Sequence, residues 1–292
     1  MSSSTKPLSG RVALITGANT GIGFVTAREL AKMGAQVFIA CRSVERAQSA
    51  LSEIRAIGGD LQVEALPLDL GDFDSVRECA RMFLARDLPL HLLVNNAGLA
   101  GARGFTKSGF ELAFGVNHVG HFLLTQLLLE RIKASAPARI VTVSSRAHIR
   151  VRGIDWNAVR QPTGGRSALK EYCVSKLANV LFSAELGRRL EGSGVTTYAL
   201  HPGVVGSDVW RSLPWILEQL VKLFTLTTDK GAATSLYCAT APEAARETGL
   251  YYDKCKVKEA SEFGRDPLLA ATLWQRSEQW VLQYPDGGAI AA

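Results

Sequence analysis

The chain has 292 residues, 47% of them hydrophobic and 21% charged, which is enough to bury one large core; an α/β chain of this length usually closes into a single domain. Its formal charge is +6, but lysine and arginine are scattered with no dense basic run, which argues for a solvated surface and against a nucleic-acid partner. Cys41, Cys79, Cys173, Cys238 and Cys255 are odd in number and contain no C-x-x-C pair, so neither a disulfide framework nor a zinc ribbon is indicated, and reduced thiols in a cytoplasmic setting are expected.

Residues 1–9 are polar and too few for a signal peptide or a spanning helix, and a flexible N-terminal tail is expected there. The apolar run Val12–Thr16 then reads as a strand leading straight into Gly17-Ala-Asn-Thr-Gly-Ile-Gly23 and an amphipathic stretch predicted as a helix over 22–33. Glycines at 17, 21 and 23 let the backbone turn tightly, approach a pyrophosphate and pack the helix on the strand. The helix N-terminus offers free N–H groups and a positive dipole end to phosphates. A plain tight turn is the alternative, and the flanking strand and helix weigh against it.

A second strand is predicted over 36–40 and ends in Cys41-Arg42. An acidic residue here would bond the adenosine ribose and repel a 2′-phosphate; none is present, and the Arg42 guanidinium suits a phosphate. NADP(H) is therefore expected over NAD(H), with an arginine merely facing solvent as the alternative. Further on, strands are predicted over 62–67, 91–95, 139–144 and 195–200, and helices over 44–57, 73–85, 109–135 and 169–190. The alternation predicts an α/β fold: a single-domain, doubly wound parallel sheet of Rossmann type with helices on both faces, spanning 10–283. In such sheets ligands lie beyond the carboxyl ends of the strands.

Tyr172 and Lys176 stand four residues apart on the last of these helices, so both project from one face. An ammonium beside a phenol favours the phenolate, and Lys176 is expected to lower the Tyr172 pKa and make it an acid and base nearer neutrality.

With these motifs in their order, the chain resembles the short-chain dehydrogenase/reductase family over most of its length. Thr16–Gly23 is similar to the family's cofactor turn, in which Gly17, Asn19, Thr20, Gly21, Ile22 and Gly23 would contact the dinucleotide; Thr20 stands where some phosphate-selective relatives carry a base. By the same resemblance Asp69 and Leu70 would contact the adenine, Asp69 having a helix cap as its alternative role. Asn96, Ala97 and Gly98 match the motif after the fourth strand. Pro202, Gly203, Val205 and Ser207 would contact the nicotinamide and pyrophosphate, Ser207 replacing the more usual threonine. Asn117, Ser145, Tyr172 and Lys176 fall at the catalytic tetrad.

The resemblance implies that Tyr172 exchanges a proton with the substrate oxygen while Ser145 hydrogen-bonds it. Lys176 would hold the nicotinamide ribose, and Asn117 would hold a relay water or bridge a helix irregularity. Ser144 competes for the serine role, since adjacent strand residues face opposite sides; the second serine of Val143-Ser-Ser145 aligns with the retinol dehydrogenase branch, which the segments 115–125, 175–182 and 194–203 also resemble. Many animal members of that branch carry an apolar N-terminal anchor, from which this N-terminus departs.

The apolar segment at about 207–227 is expected to form a lid over a lipophilic alcohol, aldehyde or ketone, with Trp215 and Phe224 on the substrate. A packed helix and a peripheral membrane contact are its alternatives. Retinoid-like, steroid-like, aliphatic and xenobiotic substrates are not separated, and homodimer and monomer both stay open. His118 and His121 lie three apart on a predicted helix but lack partners for a metal site, so packing or capping is expected, with no metal. Residues 284–292 are expected to be a flexible tail. Two other functions stay in view: a catalytically silent, cofactor-sensing binding protein on this fold, and a sugar-nucleotide epimerase or dehydratase.

Overall fold

The computed structural model describes residues 6–165, 167–203 and 228–284. Eight strands form one sheet: β1 (Val12–Thr16), β2 (Gln36–Cys41), β3 (Val63–Pro67), β4 (Leu92–Asn95), β5 (Ala138–Val143), β6 (Val195–His201), β7 (Leu250–Asp253) and β8 (Lys256–Lys258). Their spatial order is β3-β2-β1-β4-β5-β6-β7-β8; all neighbours run parallel except β7 and β8. The chain order reverses between β1 and β4, which opens a crevice at their carboxyl ends.

Among the described residues seven longer helices cover the sheet: α1 (Gly21–Lys32), α2 (Val44–Arg55), α3 (Phe73–Leu84), α4 (Gly120–Ala134), α5 (Leu169–Arg189), α6 (Thr228–Thr240) and α7 (Pro267–Leu282). The period-2 alternation of a strand decides which layer each side chain joins. On β1, Val12 and Leu14 pack with residues of α3, α4, α5 and α7, whereas Ala13 and Ile15 pack with those of α1, α2 and α6. The predicted doubly wound architecture is the observed one.

The predicted helix over 109–135 is interrupted. A helical turn at Leu112–Phe114 runs into a π-helical turn, Gly115–Val119, before α4 begins. Leu112–Ala134 as a whole is long and apolar enough to cross a membrane, but most of it is buried inside this protein, as a core helix is. Two side chains of α7 fasten this layer. Trp274 of α7 stacks on Phe182 at 5.9 Å and meets Phe122 edge-on at 5.0 Å, and the Arg189 guanidinium lies 4.4 Å over its ring. His118 of the π turn bonds Ser277 of α7 at 3.1 Å.

Residues 7–9 and Tyr284, assigned to the two tails from sequence, are packed parts of the fold. Residues 7–10 form turns, the Leu8 amide donates to Met33, and the Leu8 side chain packs against the core. At the other end Tyr284 is buried, edge-on to Phe73 at 5.2 Å, and its carbonyl accepts from Arg77. In each case one apolar side chain finds a seat that local composition does not reveal.

Candidate active site

A cavity of about 1190 Å³ lies along the carboxyl ends of β1, β2, β4, β5 and β6. One end is built by the glycine turn. Gly17 and Gly21 both have positive φ, +65° and +62°, where glycine is favoured. A Cβ on Gly17 would stand 2.8 Å from the Ala97 Cα, so the turn and the segment after β4 approach too closely for any side chain at 17. Thr20 makes no side-chain cap on α1, and no acidic residue lies in its first turn. The orphan N–H groups of that helix therefore face the cavity without a competing anion, and these residues fit the phosphates of a dinucleotide.

Thr16 locks the turn in place. Its hydroxyl accepts from the amides of Asn96 at 3.0 Å and Ala97 at 2.9 Å, while the Asn96 amide group donates back to the Thr16 carbonyl at 2.8 Å. The remaining hydroxyl proton points to His121 Nε2, 2.7 Å away. His121 Nδ1 faces the Asn117 carbonyl at 3.0 Å and so carries the ring proton, leaving Nε2 as the acceptor. Burial pulls His121 down to about 4 and His118 to about 3, which keeps both neutral. The two histidines, neighbours in sequence, thus serve opposite directions: one the glycine turn, the other α7.

The adenosine end is lined by Cys41, Arg42, Arg46, Asp69 and Leu70. Cys41 is buried and its thiol donates to the Ser43 carbonyl, while the exposed Arg42, just before α2, and Arg46, in its first turn, both line the cavity. Arg46 was given no role by sequence; its spacing of four from Arg42, across the helix start, is the signal that pairs them. Asp69 accepts from the Gly71 amide at 2.9 Å, and the cap of α3 is Asp72, not Asp69.

At the opposite end Ser145, Tyr172 and Lys176 line the cavity together with Pro202 and Gly203. β5 ends at Val143, and the two serines beyond it part company. Ser144 is buried and donates to the Lys176 carbonyl at 2.7 Å, fastening α5 to the strand. Ser145 is half-buried; its oxygen accepts the Ala147 amide at 3.1 Å, and its hydroxyl is hydrogen-bonded to the Tyr172 phenol. Lys176 Nζ donates to the Val143 carbonyl at 3.0 Å and stands 5.6 Å from the Tyr172 ring centre. Asn117 Oδ1 accepts from the Leu99 amide at 2.9 Å, and Nδ2 donates to the Leu99 carbonyl at 3.1 Å and to Ser175 at 2.9 Å.

One expectation needs correction. Burial pushes the Tyr172 phenol above its ordinary pKa, the Ser145 hydroxyl pulls part of the way back, and Cys173 adds a further upward push. Lys176 does not bring the phenol down: burial pulls the lysine itself down to about 8, and its Nζ is turned to Val143. The Asn117 side chain is engaged by Leu99 and Ser175 and so clamps the irregular helix to the Leu99 loop and to α5, which is the bridging role weighed from sequence. Gly98 passes through this knot because a Cβ there would lie 3.3 Å from Asn117 Oδ1 and 3.4 Å from Lys176 Nζ.

Between the two ends, Gly17, Asn19, Thr20, Gly21, Ile22, Gly23, Asn96, Ala97 and Gly98 all line the cavity. An apolar wall beside Tyr172 comes from Leu99, Ala102, Leu112, Val116, Ile149 and Leu169. The sequence singled out none of these six. The expected contacts Val205 and Ser207, and the lid at 207–227 with Trp215 and Phe224, lie outside the described residues.

Comparison with known proteins agrees with this geometry. The short chain dehydrogenase family profile matches residues 11–215. Retinol dehydrogenase 12 of Homo sapiens is 50% identical over 275 residues, covering 92% of this chain and 86% of that protein. Retinol dehydrogenase 11 of Mus musculus is 48% identical over 273 residues, with the same coverage of 92% and 86%. A crystal structure of an uncharacterized protein from Mycobacterium paratuberculosis superposes with a TM-score of 0.74 at 34% identity, covering 96% of each chain. The chain belongs to the short-chain dehydrogenase/reductase family, is most similar to its retinol dehydrogenase branch, and is an NAD(P)-dependent oxidoreductase acting on alcohol and carbonyl groups.

Proposed function

We propose that this short-chain dehydrogenase/reductase interconverts a lipophilic alcohol with its aldehyde or ketone, uses NADP(H) in preference to NAD(H), and employs Tyr172 as the general acid and base. The observation that carries the proposal is a single cavity with a buried phenol beside a serine hydroxyl at one end and two arginines at the other. The dinucleotide, when bound, supplies or accepts the hydride at the nicotinamide ring.

In the reducing direction Tyr172 gives its proton to the substrate oxygen as negative charge develops there. Burial, by holding the phenol neutral, keeps that proton available. Ser145, whose oxygen is already satisfied by Ala147, donates its own proton to the same oxygen and stabilises the charge. Lys176, fixed by one bond to Val143, keeps two further N–H donors for the ribose hydroxyls. Asn117 acts through Leu99 and Ser175 as a positioning residue. Alcohol oxidation is the reverse.

Preference for the phosphorylated cofactor is supported by Arg42 and Arg46, and by Cys41 where a ribose-binding acid would stand. The retinol dehydrogenases among the relatives and the six apolar wall residues support a lipophilic substrate. Five unpaired cysteines support a reducing, cytoplasmic environment. The test is a spectrophotometric screen of NADPH and NADH oxidation over a panel of lipophilic aldehydes and ketones. Turnover with NADPH on members of the panel is the expected result. Tight NADPH binding with no turnover on any of them would leave a cofactor-sensing binding protein.

A further inference from the structure

We infer that His148 is a positioning residue that fixes the Ser145 hydroxyl, acting through the Ser145 backbone carbonyl and tying it to the turn that follows β8. The inference rests on Ser145 contacting the substrate oxygen, as proposed above.

Ser145 is the second residue beyond the end of β5. The Ser144 amide still bonds the Leu200 carbonyl of β6 at 2.7 Å, but Ser145 has left the sheet and caps the 3₁₀ turn Arg146–Arg150. A residue at such a junction has no ladder to hold its carbonyl. Among the described residues the Ser145 carbonyl is held by His148 alone, which donates to it twice: the backbone amide at 3.2 Å and ring Nδ1 at 2.7 Å. On the far side of the ring, Nε2 lies 3.1 Å from the Ser261 amide.

These two partners assign the tautomer. A carbonyl only accepts, so Nδ1 carries the proton; a backbone amide only donates, so Nε2 is bare. The imidazole is consequently neutral and used at both nitrogens. It is 1% exposed and lies edge-on to Tyr251 of β7, with ring centres 4.8 Å apart, which fixes its plane as well. Burial lowers its pKa, with the Ser145 carbonyl pulling back, in keeping with a neutral ring.

The turn at Ser261 is itself well held. Its hydroxyl accepts the Gly264 amide at 3.1 Å and its carbonyl accepts the Arg265 amide at 3.1 Å. His148 thus connects a rigid turn before α7 to the residue whose hydroxyl faces Tyr172. A serine hydroxyl can rotate, and its aim depends on where its Cα is held; loss of the imidazole bond would leave the carbonyl with only the longer bond from the His148 amide and loosen the direction of the Cβ–Oγ bond.

Three variants and one double variant test this. His148→Phe keeps a ring against Tyr251 but removes both polar nitrogens; kcat should fall about 10- to 100-fold, as expected for a misplaced reacting group. KM and NADPH affinity, followed by fluorescence titration, should change by less than about twofold, because cofactor contacts are untouched. His148→Asn places an N–H donor near the position of Nδ1 and should recover kcat to within about threefold of wild type. Ser145→Ala should lose turnover on its own, and adding His148→Phe to it should cost little more, since the two act as one unit.

A full additional loss from His148→Phe in the Ser145→Ala background, or unchanged kcat in the single variant, overturns the inference while leaving the role of Ser145 standing. Wild-type turnover by Ser145→Ala removes the proposed role of Ser145 and the inference with it. Should His148→Phe not fold, His148→Asn is compared with His148→Gln, whose longer side chain reaches the Ser261 side instead. Higher kcat for the asparagine variant supports the inference, and equal or lower kcat overturns it.

Discussion

At the phosphate end of the cavity the walls are backbone: glycines at 17, 21 and 23, the uncapped start of α1, and the Ala97 Cα against which Gly17 is pressed. At the reacting end the walls are side chains, and each is placed by a bond to something else: Ser145 by Ala147, Lys176 by Val143, Asn117 by Leu99 and Ser175. The first end tolerates no added atom at Gly17, and the side chains of Thr16, Asn96 and His121 brace it from behind. The second end tolerates shape-conserving changes but no loss of a functional group. The difference separates binding, written into chain geometry, from chemistry, written into named side chains.

The largest expected effect falls at the reacting end. Tyr172→Phe keeps the ring in its packing but removes the proton donor, so turnover should fall by about 10²- to 10⁴-fold, the usual worth of a positioned acid. NADPH binding should be nearly unchanged. Near-normal turnover by the purified variant would exclude Tyr172 from proton transfer and erase the distinction between the two ends.

Next comes a side-chain feature of the binding end. Arg42→Ala should weaken NADPH by about 1.5–3 kcal/mol, the worth of a hydrogen bond to a charged group, and leave NADH almost unaffected. Equal losses for the two cofactors in a fluorescence titration would show that Arg42 does not read the 2′-phosphate. A similar cost, about 1–3 kcal/mol, is expected of Gly17→Ala from its positive φ alone, and it should fall on both cofactors alike. If this variant instead bound both normally and lost only kcat, the backbone-built character of that end would be refuted.

The fold was legible wherever a strand or helix announces itself locally. β1 coincides with its predicted span, and the cofactor turn follows from three glycines between a strand and a helix. What stayed hidden depends on distant partners. β7 and β8 are short and gain their identity from pairing with β6 and with each other. α7 buries Trp274 and Ser277 against Phe182 and His118, roughly a hundred residues or more away in sequence. The π turn at Gly115–Val119 interrupts what hydropathy reads as one long helix.

The candidate site shows the same division. Tyr172, Lys176 and Ser145 are visible from residue type and order, whereas Arg46 and the apolar wall from Leu99 to Leu169 are assembled from five separate segments. Burial explains the misjudged phenol: spacing on a helix reports that a lysine is near, but not that both groups have lost their water.

The smallest effects are in pH dependence, and the two ends should respond in opposite windows. His121, which braces Thr16 at the binding end, is pulled by burial from 6.5 to about 4. Between those values the unfolded chain takes up a proton that the folded one refuses, so stability falls as pH drops from 6.5 towards 4. Lys176 is pulled from 10.5 to about 8, so its cost is full below pH 8 and is relieved as pH rises from 8 towards 10.5. Denaturant titrations across pH should show the acid slope flattened in His121→Gln and the alkaline slope flattened in Lys176→Met. Slopes parallel to wild type in both variants would contradict these assignments.

The most direct measurement is a crystal structure of the protein with NADP⁺. The two-ended cavity predicts one orientation: pyrophosphate on the N–H groups of Gly21–Gly23, 2′-phosphate between Arg42 and Arg46, ribose hydroxyls on Tyr172 and Lys176, and the nicotinamide face towards Ser145. A dinucleotide lying in the reverse sense, or a 2′-phosphate directed away from both arginines with the ring remote from Tyr172, would contradict it.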